Sequence, residues 1–335
     1  MLFFLTKGGA KSIILLVIKE RLVMSKKIRA NLMLLLAALI WGSTFVAQTT
    51  ASDTVEPFTF LFSRSFLGFL FLIPIICIFN LNANKNLSID QQKATLKPNK
   101  ITLIAGIVCG VALTIASYSQ QIGISLMTDN ASGKAGFITA LYIVFTPIFG
   151  IILKRKVPKI IALCVPIATI GFYLLCIKSD FTVEIGDLLT LLCAIFFSFH
   201  ILVIDYFMEK GADPVKTSCI QFLVVGILSL ILAFIFEKPD FTNIWNAKLE
   251  IMYAGFLSSG IAYTLQIIAQ KDADPTSATL LMSLESVFAV LSGWIVLGET
   301  LSLKELFGCL LVFIAVILAQ VEIPIPKKKK EQKGN

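Results

Sequence analysis

Few side chains in this sequence can do chemistry, and most of those that can lie inside long apolar runs. Arg64, Lys134, His200 and Glu285 are ionisable; Tyr118, Gln121, Tyr142, Gln221, Tyr263 and Gln266 carry hydrogen-bonding ends; Trp41 and Trp294 are large rings with an N–H. A charged side chain at the centre of a membrane helix costs on the order of 2.5–3.5 kcal/mol on insertion scales, so each one needs a reason. Arg64 falls about four residues, or about 6 Å, from the middle of its apolar run. It either holds a substrate carboxylate or phosphate in a central cavity, or snorkels or pairs as a structural group. Glu285 is the deepest acid in the chain. It is read as a group that takes up and releases a proton in each cycle, or as a fixed partner of Arg64 or Lys134 that orients its helix. Lys134 meets an anionic solute at a cavity mouth or reaches the interface. His200 is the only histidine, a proton shuttle or a hydrogen-bonded core imidazole. A single histidine makes no metal site.

Two of these groups recur. Gly110, Tyr118 and Gln121 fall without a gap onto Gly255, Tyr263 and Gln266, so a tyrosine/glutamine pair at helical spacing appears twice. Leu35-Leu36-Ala37-Ala38-Leu39 is echoed by Leu191-Leu192-Cys193-Ala194-Ile195, each followed by a proline that opens the next apolar segment, Pro57 and Pro214. That equivalence sets Gln221 opposite Arg64. Residues repeated at such an interface line a cavity or pack it, and Trp41 and Trp294 supply aromatic walls. The candidate cavity set is therefore Trp41, Arg64, Tyr118, Gln121, Lys134, Tyr142, His200, Gln221, Tyr263, Gln266, Glu285 and Trp294.

The elements that must position these groups follow from composition. With 57% hydrophobic and 15% charged residues and a mean hydropathy of +0.87, 335 residues are too apolar for a soluble domain. Windows long enough to cross about 30 Å of hydrocarbon fall at Ala30–Thr50, Pro57–Phe79, Ile101–Gln121, Ala131–Leu153, Pro158–Ile177, Asp187–Phe207, Lys216–Phe236, Glu250–Gln270, Pro275 to beyond Trp294, and Ser302–Glu322. Their unbroken apolarity lacks the alternation of barrel strands, so the expected fold is an all-α membrane protein. Ten transmembrane helices in two five-helix halves make the halves inverted repeats, because an odd number of spans reverses the second half in the bilayer. The expected organisation is a first repeat core at 24–156, its fifth helix at 157–180, a second repeat at 186–322 and a basic tail at 323–335. The polar run Asn80 to Lys100 is a linker within the first half.

Basic residues orient the chain. With the start of the first span cytoplasmic, Lys26, Lys27, Arg29, the linker lysines, Lys154, Arg155, Lys156, Lys159, Lys210, Lys216, Lys271 and the tail lysines all lie inside. The opposite face receives only Lys178, Lys238, Lys248 and Lys304, a positive-inside pattern that places both termini in the cytoplasm. The net charge of +8 is a topology device, and Lys327 to Lys330 can rest on anionic lipid; nucleic acid is not expected as a partner. All seven cysteines fall inside spans as small core residues. Trp245 reads as an interfacial ring, and Gly106-x-x-x-Gly110 as a close-approach motif or tolerated glycine. The apolar run Ile13–Ile18 is short for a span, and Met24-Ser25-Lys26-Lys27 reads as a cytoplasmic lead-in, so residues 1–23 are expected to be a non-native or untranslated extension; a genuine amphipathic anchor is the alternative.

No enzyme site assembles. The string Gly255-Phe256-Leu257-Ser258-Ser259-Gly260 is not a rhomboid-type nucleophile motif, Glu184-Ile185-Gly186-Asp187 lacks the first glycine of an intramembrane aspartyl protease, and no phosphate-binding Gly-Lys loop is present. No cofactor or metal is implied.

From Met24 to about Glu322 the sequence resembles the drug/metabolite transporter superfamily and, within it, the EamA-type family. The carrying motifs are Trp41-Gly42-Ser43-Thr44-Phe45, Glu56-Pro57-Phe58 with Arg64, Gly133-Lys134-Ala135-Gly136-Phe137-Ile138-Thr139, Gly186-Asp187-Leu188, Leu284-Glu285-Ser286-Val287-Phe288-Ala289 and Gly298-Glu299-Thr300. Ser286 stands where the family often has proline, and Lys154-Arg155-Lys156 where the first repeat often has Gly-Glu. The resemblance implies a ten-helix secondary transporter in the cell membrane, moving a small metabolite such as an amino acid, often outward, by alternating access. A coupling proton or ion and a homodimer are compatible with it. A membrane-embedded receptor or assembly factor without transport activity is the alternative.

Overall fold

A computed structural model describes residues 7–83, 95–127, 131–155, 159–176, 185–298 and 302–320. Residues 84–94 of the linker and the tail from 321 onward lie outside them. All regular structure among the described residues is helical. The rods are α1 (Lys7–Ser52), α2 (Pro57–Ala83), α3 (Lys100–Ser125), α4 (Ala131–Ile152), α5 (Ile161–Cys176), α6 (Ile185–Glu209), α7 (Pro214–Phe236), α8 (Lys248–Gln270), α9 (Pro275–Leu297) and α10 (Leu303–Gln320). A six-residue helix, Phe241–Asn246, joins α7 to α8.

Eight of these rods are long and apolar enough to cross a membrane, α1 through its Lys26–Ser52 portion. Among the described residues the fifth and tenth expected spans contribute the shorter apolar stretches Ile161–Gly171 and Leu306–Ala315. α5 and α10 pack against each other beside the other eight rods.

Those eight form two four-helix bundles. In one, α1 packs on α8 and α9, and α2 on α8; in the other, α6 packs on α3 and α4, and α7 on α3. Each bundle takes two rods from each half of the sequence, and exchanging α1–α5 with α6–α10 maps the first set of pairings onto the second. The correspondence reaches single residues. A side chain on Gly110 would meet Val224 Cβ at 2.6 Å and the Gln221 carbonyl at 3.0 Å; one on Gly255 would meet Leu67 Cβ at 2.8 Å and the Arg64 carbonyl at 3.1 Å. These are the positions that the Gly110/Gly255 and Pro57/Pro214 registers make equivalent, and only glycine allows the backbones this close.

Local sequence explains where the rods start and bend. Asn99, Asp213 and Asp274 accept hydrogen bonds from the third residue of α3, α7 and α9, and proline opens the first turns of α7 and α9. Within α4, Pro147 removes the N–H that would bond the Ile143 carbonyl, and the helix is interrupted at Leu141. Within α9, the Ser283 and Ser286 hydroxyls donate to the carbonyls of Leu280 and Ser283, and the helix restarts at Leu284. In α8, Tyr253–Ala262 is a π-helix.

Large apolar side chains such as Leu32, Ile107, Ile231 and Phe234 are exposed around the outside, while Arg64, His200, Gln221 and Glu285 are buried between rods. That inversion of a soluble protein's pattern suits a lipid surround.

Candidate functional site

The rods meet around a small polar cavity between the two bundles. From the first bundle α1 brings Trp41, Phe45 and Gln48, α2 brings Arg64, α8 brings Ser258, Tyr263 and Gln266, and α9 brings Met282 and Glu285; from the second, α3 brings Gln120, α4 Thr139 and Tyr142, and α6 Phe197 and Ile201. The bends described above serve this convergence. The restart of α9 at Leu284 places Glu285 in the first turn of a helix, where the helix dipole favours a carboxylate. The break in α4 puts Tyr142 at the start of its second segment, with its hydroxyl beside Glu285. The Arg64 guanidinium reaches the Tyr263 hydroxyl, and the Tyr263 ring meets Trp41 edge-on at 4.8 Å.

Hydrogen bonding at the cavity is unfinished. Trp41 Nε1, Arg64 Nε, Ser258 Oγ, Gln266 Oε1 and Glu285 Oε1 are buried and have no hydrogen-bond partner. One such atom in a protein interior costs about 1–3 kcal/mol, and several gathered on one space call for a physical reason. The space open to the centre of a water molecule is about 30 Å³, room for little more than a water. No ion pair joins Arg64 to Glu285 among the described residues.

The two ends of the cleft differ. At the end carrying Ser52 and Pro57, the Gln48 amide donates to the side-chain oxygens of Gln120 and Gln121 at 3.1 and 2.9 Å, and Gln121 donates to Ser52 Oγ at 2.9 Å. Phe58 stacks on Tyr118 with ring centres 3.7 Å apart. At the opposite, lysine-rich end a vestibule of about 590 Å³ opens between the bundles, walled by Thr146, Arg155, Asp205 and Glu209 on one side and by Gln270 to Thr276 on the other. Thr146 lies one helical turn beyond Tyr142, and Leu202 adjoins Ile201, so a single layer separates vestibule and cavity. Gln270 Nε2 bonds the Ile201 carbonyl at 3.1 Å within that layer. Arg155 pairs with Asp205 in the vestibule wall.

Of the residues the sequence singles out, Trp41, Arg64, Tyr142, Tyr263, Gln266 and Glu285 line the cavity. Tyr118 and Gln121 lie above it in the sealed end. His200 and Gln221 bond each other at 3.1 Å behind its wall. Lys134 forms an ion pair with Asp187 at 2.8 Å, tying α4 to α6. Trp294 is 49% exposed on the outer surface; in its α-helix it stands nine residues past Glu285, two and a half turns on, and so on the opposite face. Trp245, at 59% exposed, stacks with Phe241 in the short helix, where an interfacial ring belongs. Sequence reasoning missed Gln48, Gln120 and Ser258. Gln48 follows Trp41 by seven residues, two helical turns on the same face, and that spacing is its signal; the free Ser258 hydroxyl sits in the π-helix, which no pattern announced.

Comparison with known proteins bears on this architecture. The chain is 30% identical over 322 residues to an uncharacterised transporter of Archaeoglobus fulgidus, covering 96% of this chain and 91% of the relative. It is 23% identical over 299 residues to the uncharacterised transporter YoaV of Bacillus subtilis, covering 87% and 96%. A crystal structure of another protein, 18% identical, shares the fold with a TM-score of 0.68 over 87% of this chain and 96% of that one. The sequence pattern of the EamA-like transporter family matches residues 28–177 and again 184–320. With that pattern met twice across two bundles that pair alike, the chain belongs to the EamA-like transporter family.

Proposed function

We propose that this protein is a secondary carrier of the cytoplasmic membrane that moves a small metabolite by alternating access, with ten helices in two inverted repeats and the lysine-rich end in the cytoplasm. The equivalence of Gly110–Val224 with Gly255–Leu67 supports the inverted repeat, and the unequal distribution of lysine and arginine supports the orientation. The observation that carries the functional reading is the set of unpaired buried groups around the central cavity. Arg64 and Trp41 offer donors, Glu285 and Gln266 offer acceptors, and Phe45, Phe197 and Met282 offer an apolar wall. A small zwitterion, an amino acid or a related solute, satisfies all three kinds of group at once when the cavity widens to admit it. Its carboxylate meets Arg64, its ammonium meets Glu285, and its side chain lies on the rings. Export is the expected direction. A vestibule that ends one side-chain layer short of the cavity at one end, and a hydrogen-bonded seal at the other, support a resting state that opens first toward the cytoplasm.

The test is uptake and release by proteoliposomes challenged with a broad metabolite panel. The expected result is movement of a zwitterionic solute that Arg64→Ala and Glu285→Gln each abolish while the amount of inserted protein is unchanged. Full activity in both variants removes them from the site, and a panel of which nothing moves overturns the reading in favour of a receptor or assembly factor.

A further inference from the structure

Glu237 lies 16 residues beyond Gln221, at the end of α7, and takes no part in the cavity. Its carboxylate nevertheless makes three hydrogen bonds from one bundle to the other. Oε1 accepts from the Phe58 backbone N–H at 2.7 Å, and Oε2 accepts from the Thr59 N–H and the Thr59 hydroxyl, both at 2.8 Å. Phe58 and Thr59 are in the first turn of α2, so an acid carried by one bundle caps a helix of the other. The contact sits at the sealed end, where Phe58 is flanked by Tyr118 and, at 6.1 Å, by Phe236.

Helix α2 has a use for a borrowed cap. The residue before Pro57 is Glu56, whose side chain is exposed and whose type is a poor N-cap. Its equivalent before Pro214 is Asp213, which caps its own helix through the Lys216 N–H at 2.9 Å. The free N–H groups of α2 and the positive end of its dipole are thus satisfied only by closure of the two bundles. When they part, the same groups face water at the membrane surface, which replaces the carboxylate at modest cost. Such a contact is strong enough to hold a state and weak enough to be released. By the Pro57/Pro214 register the sequence position equivalent to Glu237 is Asn80, a neutral amide and not an acid.

We propose that Glu237 is the positioning residue that latches the cleft shut on the side away from the vestibule, and that breaking its bonds to Phe58 and Thr59 is a step of opening to that side. This rests on the alternating-access reading above.

The test measures two distances at once by electron spin resonance on the full chain in lipid nanodiscs, with native cysteines replaced by alanine in a background that retains transport. One label pair, at Asp53 and Ser125, spans the bundles at the latched end; the other, at Glu209 and Lys271, spans them at the vestibule. All four positions are exposed. In Glu237→Ala the population with a wide latched end and a narrow vestibule is expected to rise about tenfold, the equivalent of one lost charge-assisted contact. Glu237→Gln, which keeps one acceptor oxygen, falls between the two. Thr59→Val removes one bond without touching the acid and, should Glu237→Ala not fold, is expected to shift the same populations in the same direction. Wild-type protein that exchanges between two anticorrelated populations, unchanged in Glu237→Ala, overturns the latch alone. Distances that never move in opposite senses in any variant overturn alternating access and the latch together.

Discussion

Arg64 and Glu285 show how far the cost of burying charge can be read as purpose. Each stands in an apolar run where nothing in the sequence repays it, and each is found on the cavity wall beside a tyrosine hydroxyl. The same argument succeeds less well for groups whose helix face decides their role. Lys134, Tyr118 and Trp294 have the right chemistry, but which way each side of a rod faces depends on its neighbours, and an all-round apolar helix carries no stripe to reveal it. Trp41 gives a test at this scale. Its ring packs on Tyr263 while its Nε1–H is unpaired, so Trp41→Phe keeps the wall and removes one donor. We expect KM for the transported solute to rise about fivefold, the equivalent of one neutral hydrogen bond of about 1 kcal/mol, with protein level and maximal rate little changed. An unaltered KM would show that this N–H does not meet the solute.

Rods, by contrast, were legible almost throughout, because a membrane demands long apolar helices and few other patterns. The windows beginning at Pro57, Ala131 and Pro275 coincide with the starts of α2, α4 and α9. What hydropathy cannot register is irregularity inside an apolar run. The interruptions at Leu141 and Ser283 and the π-helix of α8 leave the mean hydropathy untouched, yet they aim Tyr142, Glu285 and Ser258. Close packing of the rods makes its own prediction. A leucine at Gly110 must push α3 away from α7, and a leucine at Gly255 must push α8 away from α2, against backbone and Cβ atoms in equivalent places. Each substitution is expected to destabilise by about 1–3 kcal/mol, seen as a lowered midpoint of thermal unfolding in detergent. The two drops should be similar. A large loss at one site with none at the other would show that the two contacts are not counterparts.

At the scale of the molecule, the recurrence of Gly110, Tyr118 and Gln121 in Gly255, Tyr263 and Gln266 foreshadowed the two bundles but not their composition. Each bundle draws on both halves, so the cleft runs between mixed sets of helices and not between the repeats as they appear along the chain. Three layers lie along that cleft: the Gln48, Gln121 and Glu237 contacts, the polar cavity, and the vestibule. The central claim is that the middle layer is reached from one side at a time. Ser258 lines the cavity, and a membrane-impermeant thiol reagent applied to sealed vesicles of each orientation reads its exposure in a Ser258→Cys variant otherwise free of cysteine. The account predicts labelling from the lysine-rich side in the unmodified background, at the rate at which the Ile201–Gln270 layer opens, and labelling from the opposite side, with loss of the first, when Glu237→Ala is added. Labelling from neither side under any condition, or from both sides at once, would contradict it.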